Sequence, residues 1–150
     1  MKIRDAESLL PVALIAALLP RAALAADEIR TGKWEFTTQM QPPAMPPSAT
    51  GTQPPAANQP MTRTACIDPT HPIPLDEQCR LDNMKHSGGQ ISWTMTCNSP
   101  QGPVPSSGSG HYAGDTMKGT LTARVPGPNG RPLTAPGRIT GRFLGPCEAK

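Results

Sequence analysis

The side chains with which this 150-residue chain could do chemistry are few: three histidines, four cysteines, seven methionines, two tryptophans and a thin scatter of carboxylates. Acid–base or nucleophilic catalysis needs such groups held against one another in a preorganised site. His71 lies between Thr70 and Pro72 and close to Asp68. An Asp in that place bonds the backbone of its own turn, so the segment reads as an exposed turn with Asp68 as its cap. His86 precedes a glycine pair and His111 follows a glycine-rich stretch, and both read as exposed strand ends. Asp115, between Gly114 and Thr116, has the residue type of a turn former. Gly-x-Ser-x-Gly, phosphate-loop, His-Glu-x-x-His and haem-attachment patterns are all missing from the sequence. The expectation is a chain with no catalytic residues, not an enzyme.

What the cysteines do depends on the compartment, and the N-terminus indicates it. Lys2 and Arg4 are followed by an apolar run over residues 9–19 and by the small-x-small triplet Ala23-Leu24-Ala25. These are the three zones of a cleaved signal peptide, residues 1–25, with cleavage expected after Ala25. The apolar run is about half the roughly 20 residues of a membrane-crossing helix, so no membrane span is expected after cleavage. The expected location is the periplasm or the exterior. In an oxidising compartment, Cys66, Cys79, Cys97 and Cys147 read as two disulfides. Zinc would need close pairs, whereas the gaps hold 12, 17 and 49 residues. Four cysteines allow three pairings. The pairing expected here is Cys66 with Cys79, closing a Pro-rich loop, and Cys97 with Cys147, tying a strand end to the terminus. Met40 and Met45 flank Pro42-Pro43 and offer thioethers to Cu(I), but Met40, Met95 and Met117 fit core positions better. No metal and no cofactor is expected.

Cleavage leaves 125 residues, 11 of them basic and 9 acidic, for a formal charge of +2 against +3 for the whole chain. One domain over residues 26–150 is the default at that length. The basic residues are scattered in sequence without interleaved aromatics, so neither nucleic acid nor another acidic polymer is expected as a partner. Proline and glycine exceed a fifth of the chain and cluster at residues 42–60, 98–110 and 126–137. All three clusters read as loops, the first as a flexible Pro-rich one. Between them apolar and polar residues alternate with the period of half-buried strands. Strands are expected at 34–40, 61–67, 79–86, 91–97, 111–113, 117–125 and 138–144, with turns at Gly88-Gly89 and Gly114-Asp115. The fold class is all-β: a small antiparallel meander, as a curved sheet or a partly closed barrel.

Several ordered motifs resemble the bacterial exported family known as domain of unknown function 3617. They are Gly32-Lys33-Trp34-Glu35-Phe36-Thr37, Cys66-Ile67, Cys79, Ser92-Trp93-Thr94-Met95-Thr96-Cys97, Gly114-Asp115 with Lys118-Gly119-Thr120, and Gly141-Arg142-Phe143-Leu144-Gly145-Pro146-Cys147. The resemblance spans the mature chain and departs from the family in the long Pro-rich insert at 42–60. It implies export and a β-rich domain, and no activity.

Trp34, Phe36, Trp93 and Met95 are then either core anchors or ligand-facing residues. If the sheet curls, its concave face could take up an apolar small molecule, which is the leading functional expectation. The alternative is an envelope interaction or structural module in which the Pro-rich loop docks onto a protein partner.

Overall fold

The computed structural model describes residues 28–44 and 59–148. The expected signal peptide and most of the Pro-rich loop lie outside the described residues. Seven strands follow one another: β1 (Gly32–Met40), β2 (Met61–Ile67), β3 (Cys79–Ser87), β4 (Gln90–Ser99), β5 (Gly102–Ala113), β6 (Thr116–Pro126) and β7 (Pro132–Gly145). They form one antiparallel sheet in the order β2-β1-β7-β6-β5-β4-β3, curled into a half-barrel. Strands β3 to β7 are a meander. The β1–β2 pair is laid against its last member, so β2 and β3 are the two edges.

Alternation along each strand sends one set of side chains to the concave face. In β1, Gly32, Trp34 and Phe36 are buried while Lys33, Glu35 and Thr37 are partly exposed. Trp34, Phe36, Ile67, Tyr112 and Met117 are almost fully buried and pack one end of the half-barrel. The Trp34 ring meets Tyr112 and Phe143 edge-on, at centroid distances of 4.9 and 5.6 Å, and its Nε1 donates to the Arg30 carbonyl at 2.8 Å. Facing strands leave room for these rings by carrying glycine. A Cβ on Gly141 would stand 2.9 Å from the Phe36 ring, and one on Gly108 would overlap Trp93.

Two stretches read as loops are in fact strand. Residues 102–113 form β5, an interior strand, and β7 begins at Pro132 instead of at 138. Proline removes a ladder donor and is excluded from strands flanked on both sides. Pro103 and Pro105 escape this rule because β6 joins β5 only from Ser106 onward. Pro132 and Pro136 escape it because β1 joins β7 only from Gly137 onward. The Ser/Gly composition that suggested a linker is the small-residue surface on which Trp93 and Met117 lie. Only residues 127–131 turn the chain between β6 and β7, with Asn129 at φ 61°.

The disulfide pairing also differs from expectation. Cys66 is bonded to Cys147, and Cys79 to Cys97. Strand order explains both. Lys33 of β1 stands between Cys66 of β2 and Gly145 of β7, which brings Cys147 beside the β2 edge. Cys79 and Cys97 are direct partners in the β3–β4 register. Each bond therefore fastens an edge strand. Nearness in sequence was a poor guide because the sheet places the chain's end against its second strand.

Candidate ligand-binding cavity

The packed core fills one end of the half-barrel, and a cavity of about 340 Å³ occupies the other. Its floor is Trp93 and Met95 of β4, Val104 of β5, and Leu121, Ala123 and Val125 of β6. Met40 and Met61, the last residue of β1 and the first of β2, close its side. Thioether and branched aliphatic side chains adapt to an apolar guest without a fixed shape. At the opening, Arg63 and Asp76 make a two-pronged ion pair, both contacts at 2.6 Å. It joins edge strand β2 to the segment before edge strand β3. Ser106 and Thr38 add hydroxyls to an otherwise apolar wall.

Residues 68–78 run from the end of β2 to the start of β3 and pack against the concave face, where Ile73 belongs to both the core cluster and the cavity wall. Pro72 and Ile73 are buried there. The Tyr112 hydroxyl donates to the Pro72 carbonyl at 2.5 Å, and burial pushes that phenol well above its ordinary pKa. Asp68 opens the segment. Its carboxylate accepts from the Thr70 hydroxyl and from the Thr70 and His71 backbone N–H groups at 2.5, 2.7 and 2.8 Å. Those bonds hold the Asp68 carboxyl below its usual value, the Thr70 hydroxyl contributing most.

The four aromatic and methionine residues picked out in the sequence divide evenly. Trp93 and Met95 face the cavity; Trp34 and Phe36 are fully enclosed in the core and do not. The histidines do not form one cluster, although His86 and His111 both line a recess on the outer face of the sheet. His71 is exposed in its turn, His86 lies in β3 opposite Ile91, and His111 lies in β5 between Gln90 and Lys118. Asp115, in the β5–β6 turn, is ion-paired with Arg30 and accepts the Phe143 N–H through its carbonyl at 2.9 Å. Met45 and residues 45–58 of the Pro-rich loop lie outside the described residues. Sequence reasoning missed Met61, Val104, Leu121 and Ile73 as neighbours. The alternation in β6 placed Leu121 inward, but nothing local to Val104, between two prolines, marked it as part of a cavity wall.

Among the described residues no helix is long and apolar enough to cross a membrane, and the two disulfides are compatible with export. A family model described as "Protein of unknown function (DUF3617)" matches residues 29–147. No curated protein and no solved structure matches the chain.

Proposed function

We propose that this chain, which belongs to the DUF3617 family of proteins of unknown function, is an exported binding protein, not an enzyme, that captures an apolar small molecule on its concave face. The observation that carries this reading is the cavity beside Trp93, walled by Met40, Met61, Met95, Val104, Leu121 and Val125. Its volume is at the lower end for ligand pockets. It suits a guest of on the order of ten non-hydrogen atoms at roughly 30 Å³ each. Each methylene buried there contributes about 0.8 kcal/mol. The Arg63–Asp76 pair gives the guest a polar boundary at the opening. Export follows from the basic, apolar and Ala-x-Ala zones of residues 1–25, and the disulfides suit an oxidising compartment.

The test is native mass spectrometry of the oxidised protein isolated gently from its own cells, beside an Ala123→Phe variant. Ala123 is buried in the cavity wall, so the added ring fills the space. The wild type should carry a non-covalent extra mass that the variant loses, the variant's oxidised chain differing from wild type only by the mass of the substitution. A bare wild-type chain, or extra mass retained in the variant, overturns the reading.

A further inference from the structure

On the sheet face turned away from the core, four strands build a second recess of about 520 Å³. Its long sides are Lys85 of β3 and Lys118 of β6, and between them lie Gln90 and Ser92 of β4 and Ser109 and His111 of β5. The register explains the grouping. Lys85 is opposite Ser92 and Ser92 opposite Ser109, while Gln90 is opposite His111 and His111 opposite Lys118. Two adjacent cross-strand rows thus put hydroxyl, amide and imidazole groups between two lysines whose strands stand three strand spacings apart, about 14 Å.

The recess gathers positive charge with no carboxylate beside it. Arg30, Lys33, Arg63, Arg80 and Arg142 are each paired with a carboxylate. Lys85 and Lys118, like Arg124, Arg131 and Arg138, have no ion-pair partner among the described residues, but only Lys85 and Lys118 line this recess, and no Asp or Glu lines it with them. An uncompensated positive charge at each end favours anions, and the hydroxyl and amide floor offers hydrogen bonds in both directions. In sequence these lysines are 33 positions apart and look scattered; the sheet makes them one surface.

We infer that this outer-face recess binds an acidic oligosaccharide, its carboxylate or phosphate groups on Lys85 and Lys118 and its hydroxyls on Gln90, Ser92 and Ser109. A single small anion would leave the floor unused, and a neutral sugar would leave both lysines unpaired. The site is on the opposite face from the apolar cavity and stands whether or not that cavity is filled.

Titration calorimetry of the oxidised protein with trigalacturonate tests this, with maltotriose as the neutral probe and hexaglutamate as the acidic peptide. Trigalacturonate should bind, and a Lys85→Gln/Lys118→Gln variant should lose at least tenfold in affinity. An Arg124→Gln/Arg131→Gln variant, which removes the same charge at the far end of β6 and in the turn beyond it, should keep wild-type affinity. The inference is overturned if trigalacturonate does not bind or if the arginine variant loses as much as the lysine variant. Equal binding of maltotriose or hexaglutamate overturns it as well, the latter pointing to an acidic peptide instead.

Discussion

Tyr112 reaches across 40 positions of chain to bond the Pro72 carbonyl, and this contact holds the segment 68–78 against the sheet. The hydroxyl and its acceptor are both buried, so neither can turn to water if the other is removed. Tyr112→Phe should lower stability by about 1–2 kcal/mol in urea denaturation. An unchanged midpoint would show that the segment is held by packing alone.

The same phenol sets an alkaline limit. Burial raises its pKa in the folded state above the ordinary value of 10.0, so the unfolded chain ionises first. The stabilising contribution is complete below pH 10 and is lost as pH rises beyond it. Tyr112 is the single tyrosine of the chain, so phenolate absorbance near 295 nm reports it alone. That absorbance should appear together with loss of the β-sheet circular dichroism signal. Ionisation with an intact sheet signal would contradict the burial.

The disulfides should contribute unequally. In the chain-entropy model, closing the 81-residue separation of Cys66 and Cys147 stabilises by about 4.5 kcal/mol, and closing the 18-residue separation of Cys79 and Cys97 by about 3 kcal/mol. Replacing Cys66 and Cys147 by Ala should therefore lower the melting temperature more than replacing Cys79 and Cys97. Peptide mapping without reduction should recover Cys66 linked to Cys147. Recovery of a Cys66–Cys79 peptide would refute the strand order that places the chain's end beside β2.

Alternation was strong enough to locate β2 to the residue and β1, β3, β4 and β6 within two residues at each end, because one face of each carries large apolar or sulfur-bearing groups. It failed over residues 102–110 of β5 and at the start of β7, where the inward positions are glycine, serine and alanine apart from Val104 and Leu133, and the outward ones include proline. The glycines among them are inward because Trp93, Met117 and Met40 from other strands occupy the space above Gly108, Gly110 and Gly137. A sequence shows that a residue is small; it does not show which ring lies over it. The cavity was half legible for the same reason. Trp93 and Met95 stand on the clearest alternating strand, whereas Trp34 and Phe36 are equally apolar and alternate in the same way, yet are enclosed in the core and do not line the cavity.

That account of the small residues is itself testable at Gly108. A Cβ there would overlap the Trp93 ring, so Gly108→Ala must push the indole toward the cavity or distort β5. Overpacking of this kind costs about 1–3 kcal/mol. The near-ultraviolet circular dichroism of the tryptophans should change as well. Ser107→Ala, next in sequence but on the exposed outer face, should stay within about 0.5 kcal/mol of wild type. Equal effects of the two substitutions would mean that Trp93 does not rest on Gly108.

Asp82 is the extra residue of a bulge in β3, where the register with β4 shifts between Leu81 and Asn83. The bulge aims its carboxylate at the neighbouring strand, where it accepts from the Thr96 hydroxyl at 2.7 Å, and it also accepts from Arg80 Nε at 2.9 Å. Both bonds favour the ionised form, the Thr96 hydroxyl more than Arg80, and they hold the carboxyl below its ordinary value of 3.8. A depressed carboxylate stabilises the fold above pH 3.8, and that contribution fades as pH falls through the lowered value. Carbon-detected magnetic resonance titration should therefore place Asp82 below 3.8 in the wild type and return it toward 3.8 in Thr96→Val. Arg80→Gln should produce a smaller return. A midpoint that does not move in Thr96→Val would show that the bulge does not bring Asp82 onto β4.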